Sequence, residues 1–165
     1  MPIFCGFVDG GILDAPVVEY SYQLYNKYGN QSEISPSTKL ISIRTGGITV
    51  NDSNVIEGFK QGEQTDKGVR IKIINDNDNF NYIKVYRIGY VEGGQEPTIE
   101  LIYDEEINGT EIVVDDLGQE ALSTLTLEEY NSMSGIHIIP KTIESKDGYM
   151  FAANIQTDTG NLESK

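Results

Sequence analysis

The chain has 165 residues, enough for one domain or two small ones sharing a core, and its 12 Lys and Arg against 26 Asp and Glu give a formal net charge of −14. A field of that sign repels nucleic acid and anionic membrane surfaces, and no run approaches the roughly 20 apolar residues of a membrane-spanning helix. One cysteine, Cys5, excludes an intrachain disulfide framework and a multi-cysteine zinc site.

The apolar set is biased toward branched residues, with 21 Ile and 10 Val against 9 Leu and 4 Ala. Branched side chains lose rotamer freedom in helices and little in strands, so the bias predicts an all-β protein. The first strong strand is Val17–Tyr25: Val18, Tyr20, Tyr22 and Leu24 make a dry face, and Glu19, Ser21 and Gln23 a wet one. Tyr28-Gly29-Asn30 and Ser35-Pro36-Ser37 then break the alternation as turn and loop signals. A strand is expected at 39–44, with Gly46-Gly47 turning the chain into Ile48-Thr49-Val50.

A glycine- and charge-rich link occupies 57–63, after which Val69, Ile71 and Ile73 alternate with Arg70 and Lys72. The strand at 81–91 carries apolar or aromatic groups on both faces, which predicts a central position without saying which face is the core. Gly93-Gly94 and Asn108-Gly109 are turn signals, and strands at 98–103 and 110–114 come after them. With no helix between these strands, the pattern is that of a sandwich and excludes a βαβ fold. Thr126 and Glu129 have capping-box spacing, Leu125 and Tyr130 that of a hydrophobic staple, and Gly135 is placed to end the helix, which predicts Leu127–Met133. An apolar strand at 136–139 stopped by Pro140, a hairpin around Lys146-Asp147-Gly148 and an unstructured end from 157 complete the chain.

Sites that invite chemistry each meet a plainer reading. The run Asp76-Asn77-Asp78-Asn79 suggests calcium, but an EF-hand would need glycine where Asn81 stands and an acid where Arg87 stands, so a solvated loop is expected. Asp104-Glu105-Glu106 and Asp115-Asp116 offer paired carboxylates, with no feature to raise a pKa, and are read as solvated strand ends. His137 is the lone histidine, far in sequence from Cys5, and is read as a strand residue; Cys5 is read as a small buried hydrophobe. Asn108-Gly109-Thr110 is read as a turn rather than a glycan acceptor. No cofactor, metal or catalytic set is expected, and the protein is read as no enzyme. The 10 tyrosines admit two readings, core filling or a ring-rich surface for sugars or proteins, and the residues of that possible surface are Tyr20, Tyr22, Tyr25, Tyr86 and Tyr90.

The stretch from Tyr20-Ser21-Tyr22-Gln23-Leu24-Tyr25 through Tyr28-Gly29-Asn30 to Ser35-Pro36-Ser37 resembles the last hairpin of a fibronectin type III domain, and 69–114, centred on Tyr82-Ile83-Lys84-Val85-Tyr86-Arg87, resembles the middle strands of a second one. Taken with Leu125-Thr126-Leu127-Glu128-Glu129-Tyr130, the 139–147 segment and Phe151-Ala152-Ala153-Asn154, the chain is similar over about 10–156 to structural, or stabilisation, proteins of the tail region of crAss-like phages. The resemblance implies a fibronectin type III-like antiparallel β-sandwich with an incomplete first module at 1–56, a second at 57–118, and a short helix, hairpin and acidic tail at 119–165. It implies a non-enzymatic virion protein, made in the bacterial host cytoplasm, whose partners are other virion proteins. Relatives are longer, so a fragment, a split gene or a reduced relative is expected, with Val17–Tyr25 as an exposed edge open to self-association. The alternative is a β-sandwich module that recognises a glycan or cell-surface partner through its tyrosines.

Overall fold

The strands predicted at 17–25, 69–73, 81–91, 98–103 and 110–114 are present, the one at 39–44 is Ile41–Ser42 among the described residues, and two others accompany them. The computed structural model describes residues 1–43, 65–76, 79–91 and 95–133, and the backbone of 138–146 and 149–157. The elements are β1 (Ile3–Asp9), β2 (Val17–Tyr25), β3 (Ile41–Ser42), β4 (Lys67–Ile74), β5 (Tyr82–Tyr90), β6 (Thr98–Glu106), β7 (Glu111–Asp116), β8 (Ser123–Leu125), α1 (Leu127–Met133), β9 (Ile138–Lys146) and β10 (Tyr149–Thr157). Sequence reading singled out neither β1 nor β8. The first holds Cys5 and Gly6 at a register break, which blurs its alternation, and the second spans only Ser123–Leu125.

The chain divides into one unit over Met1–Met133 and another over Ser134–Lys165. In the first, a three-stranded sheet ordered β1-β4-β7 faces a five-stranded sheet ordered β3-β2-β5-β6-β8, and every ladder is antiparallel. Val69, Ile71, Ile73, Ile112 and Val114 of the smaller sheet meet Val18, Tyr20, Leu24, Ile83, Val85 and Ile102 of the larger one in a single core. The fold class is therefore β-sandwich, but the boundary expected between modules at 56 and 57 is not where the fold divides. β2 pairs with β5 along its whole length, from Val17↔Tyr90 to Tyr25↔Tyr82, and β1 pairs with β4. Strands from both expected modules thus share each sheet, because the long-range ladders bury more apolar surface than either stretch could bury alone.

β5 occupies the middle of the larger sheet, as its two apolar faces predicted, and both faces are core. Ile83 and Val85 point into the sandwich; Tyr86, 3% exposed, points outward into a second cluster with Ile34 and Leu101. Ordinary alternation along β5 gives it this direction; the register break lies on β6, where Val85 faces Tyr103 while Tyr86 faces Leu101, leaving Ile102 as the extra residue of a bulge. The outer cluster is covered by α1 through Tyr130 and Met133, with Leu125 packed beside them. The helix forms where its cap predicts. The Glu129 N–H donates to Thr126 Oγ1 at 3.2 Å, and the Thr126 N–H donates to Glu129 Oε2 at 2.8 Å. The bond from the Thr126 N–H first, and then the one the Thr126 hydroxyl donates to the same Oε2 at 3.0 Å, hold the Glu129 carboxyl below its usual range. So short a helix persists only because its inner side packs on the sheet.

That cover also corrects the expected wet face of β2. Ser21 and Gln23 are buried, at 0% and 3% exposure. Tyr130 donates its hydroxyl to Ser21 Oγ at 2.8 Å, and Gln23 Nε2 donates to the Ser32 carbonyl at 2.9 Å. Nor is β2 an open edge. β3 covers only Val17 and Val18, but residues 32–38 run alongside the rest as a strap. Its N–H groups at Ser32, Ser35 and Thr38 donate to the carbonyls of Leu24, Tyr22 and Tyr20 at 2.8–2.9 Å. Its hydroxyls at the same three residues accept the N–H groups of Leu24, Tyr22 and Tyr20 at 2.9–3.1 Å. A hydroxyl every third residue thus seals the edge that was expected to recruit another chain.

In the second unit, β9 and β10 form a two-stranded antiparallel ladder, with Lys146 opposite Tyr149. The hairpin is longer than expected, because Pro140 does not stop β9 but pairs with Ile155 inside it. A two-stranded ribbon leaves one side of each strand without a ladder partner, and there a residue lacking an N–H costs nothing. The expected turns at 46–47, 93–94 and 147–148, Ile48-Thr49-Val50, the link at 57–63, His137, Gly135 and the end from 158 lie outside the described residues.

Candidate functional site

The five tyrosines named from the sequence divide between interior and rim. Tyr20 is fully buried and Tyr86 nearly so, so neither belongs to a surface: an inward position on a central strand takes a ring whatever its hydroxyl could bind. Tyr22 and Tyr90 are half-buried, and Tyr22 packs against the main core.

Tyr20 instead belongs to a buried polar cluster that ties the two sheets together. Its hydroxyl donates to Asp116 Oδ2 at 2.8 Å, and Arg87 Nη1 donates to Asp116 Oδ1 at 2.8 Å and Oδ2 at 3.1 Å. Arg87 completes its fork on Glu100 Oε2, through Nε at 3.0 Å and Nη2 at 2.8 Å, and the Gly118 N–H donates to Asp116 Oδ1 at 2.9 Å. The side chain of Asp116 is 0% exposed and that of Arg87 5%. β2, β5 and β6 of one sheet are thereby joined to the end of β7 in the other. Beside the carboxylate, β4 passes so close that a Cβ on Gly68 would lie 2.6 Å from the Asp116 carbonyl oxygen, which requires glycine there. Burial alone would lower the Arg87 pKa, but the two carboxylates outweigh it and hold it above its usual value. Burial, then the Asp116 charge, drives the Tyr20 phenol well above its usual value. Asp116 is therefore not the solvated strand end expected of Asp115-Asp116; only Asp115 is, paired with Arg70 at 2.6 Å on the outer face.

Tyr25 lies elsewhere, at the end of the larger sheet where β2 stops, β5 starts and β6 stops. Its ring stacks on Tyr82 at 5.1 Å between centroids and 21° between planes. Its hydroxyl donates to Asp104 Oδ1 at 2.6 Å, and Lys84 Nζ lies 5.0 Å from its ring centroid. The register makes this arrangement: Tyr25, Tyr82 and Glu106 are direct neighbours across three strands, and Lys84 faces Asp104. Beyond Tyr25 the chain turns, and the Asn26 side-chain oxygen accepts the N–H groups of Tyr28 and Asn30 at 3.0 and 3.2 Å. The turn presents Tyr28 at 77% exposure, with Lys27 Nζ 5.2 Å from its ring. Glu105 and Glu106 are exposed beside it on β6. Tyr82 and Tyr28 were not among the residues named from the sequence. Tyr82 could have been found as the strand-opening residue after a polar loop, but its partner Tyr25 is set by a ladder between distant segments.

The phenols of this sheet carry a pH signature. The hydrogen bond to Asp104, with burial second, pushes Tyr25 up to about 12, and burial, with Asp104 second, pushes Tyr86 up to about 12. The fold thus favours the protonated phenols, so their contribution to stability is whole below about pH 10 and is lost as pH rises through about 12. A phenolate absorbance titration is expected to show a late phase from Tyr20, Tyr25 and Tyr86, together with loss of near-ultraviolet dichroism. Ionisation of every tyrosine in one early phase, with the fold intact, would contradict it.

Among the described residues no group of three or more His, Cys, Asp or Glu is gathered as a metal cage requires. The two acidic runs serve different tasks, Asp104 holding Tyr25 and Asp116 holding Arg87. Cys5 is exposed on β1 rather than buried, because β1 is the outer strand of the smaller sheet. What the geometry offers is a tyrosine-bearing, acidic strand end on a rigid sandwich. Against known proteins, the family described as Crassvirus muzzle protein matches residues 2–164. No curated protein matches the chain.

Proposed function

The chain belongs to the Crassvirus muzzle protein family and is a structural component of a crAss-like phage virion, and from that premise we propose that it acts in the tail region by protein–protein contact, without catalysis. The carrying observation is the family match over residues 2–164, and the strand end bearing Tyr25, Tyr28 and Tyr82 is the proposed contact surface. Tyrosine rings supply wide contact area at low entropy cost, and the Tyr25–Tyr82 stack with its Asp104 hydrogen bond is already ordered before a partner arrives. The net charge of −14 steers the protein toward basic faces of neighbouring virion subunits and away from DNA.

In phage carrying Tyr25→Ala, Tyr28→Ala and Tyr82→Ala together, incorporation of the protein into purified particles is expected to fall at least about ten-fold, as loss of even one hot-spot residue among the three implies. Normal incorporation of a folded triple variant would remove this surface from consideration. Tyr28, 77% exposed, favours a second reading in which an open ring face stacks on a sugar. Glycan binding by the isolated protein that disappears in Tyr28→Ala, with particle incorporation unchanged, would favour it.

A further inference from the structure

We propose that Asn108 is a site of spontaneous deamidation in the folded protein, through attack by the Gly109 backbone nitrogen on its side-chain amide. Asn108-Gly109 is the one Asn-Gly pair in the sequence. It forms the connection between β6 and β7, and both residues are exposed. The turn is anchored at its two ends, where the Ile107 N–H donates to the Asn81 carbonyl at 2.7 Å and the Thr110 carbonyl accepts the Asn75 N–H at 2.8 Å. Between these anchors the Gly109 N–H has no protein acceptor among the described residues, and the Asn108 amide makes only a 3.4 Å bond from Nδ2 to the Glu106 carbonyl. Gly109 sits at φ +98°, open to solvent, with no atom within 4 Å of where a Cβ would be. No side chain therefore shields the nitrogen, and the glycine backbone has the freedom that ring closure needs.

The chemistry is self-contained apart from water. Base removes the Gly109 amide proton, the nitrogen bonds to Asn108 Cγ, and the side-chain nitrogen departs as ammonia to leave a five-membered succinimide. Water then opens the ring at either carbonyl, giving aspartate or an isoaspartyl link. A second position before a glycine shows why exposure alone is insufficient. Asp9 precedes Gly10, but the Gly10 N–H is spent on the Asp66 carbonyl at 3.0 Å. Its carboxyl, hydrogen-bonded to Lys67, is held ionised and is a poor electrophile. At Asn108 the product adds a negative charge beside Asp104, Glu105 and Glu106. The isoaspartyl form also adds a main-chain carbon where the larger sheet hands the chain to the smaller one.

The test incubates the folded full chain in mildly alkaline buffer, digests it, and reads each asparagine by mass spectrometry, separating aspartyl from isoaspartyl peptides. A gain of one mass unit is expected at Asn108 faster than at any other asparagine by roughly an order of magnitude, because only there is the next residue an exposed glycine. In Asn108→Gln, whose ring would be six-membered, ammonia release is expected to fall to the level of the remaining asparagines. Asn108 reacting no faster than the others, or ammonia release unchanged in Asn108→Gln, overturns the proposal.

Discussion

Asp116→Ala is expected to lower the unfolding free energy by about 3–5 kcal/mol, the cost of breaking a buried ion pair on one side. The substitution leaves Arg87 in the interior with only the partly exposed Glu100, and strips the Tyr20 hydroxyl and Gly118 N–H of their acceptor. Asp116→Asn, which keeps an acceptor for Tyr20 but removes the charge facing Arg87, is expected to fall between that variant and the native protein. The pair does not stabilise simply by being ionic. Two charges taken from water lose roughly what their attraction returns, so Arg87→Met with Asp116→Leu is expected to recover most of the loss. Urea unfolding of the three variants decides this, with midpoints compared at unchanged slope. A loss below about 1 kcal/mol for Asp116→Ala would mean that water enters and solvates Arg87, and that the two sheets are held by the apolar core alone.

The triple variant Ser32→Ala, Ser35→Ala and Thr38→Ala is expected to lose roughly 1–3 kcal/mol per hydroxyl and to self-associate. Each hydroxyl is the acceptor for a β2 N–H, at Leu24, Tyr22 and Tyr20 in turn. Without them the strap keeps its own N–H donors but leaves alternate donors of β2 unpaired along a strand flanked by buried apolar residues. An edge of that kind pairs with another strand when one is available. Light scattering across a concentration series reads the association, and denaturation reads the stability. A triple variant that is monomeric and as stable as the native chain would show the hydroxyls to be incidental.

Legibility of the fold tracked how local each cause is. β2 and α1 lie at the bounds read from the residues, because period-two alternation over Val17–Tyr25 and the Thr126–Glu129 cap are settled within a few residues. The central place of β5 was legible from its doubly apolar composition. The division into modules was not, because it depends on which strands pair across long separations, and Val17↔Tyr90 carries no local mark. The candidate site was legible in part for the same reason. Tyrosine enrichment is visible in the composition, but which rings reach the rim depends on the register that places Tyr25 against Tyr82 and on α1, which covers the outward-facing Tyr86.

By itself the sequence determined the all-β class, the net charge of −14, the short capped helix and the kinship with crAss-like phage structural proteins, all carried by composition or by neighbours in the chain. Tertiary structure alone decided that one sandwich draws on both expected modules, that Asp116 leaves its acidic run to hold Arg87 and Tyr20, and that a strap of hydroxyls closes the edge of β2. Each of those outcomes joins residues far apart in sequence, and the energy that selects among such pairings is burial, which no single segment carries.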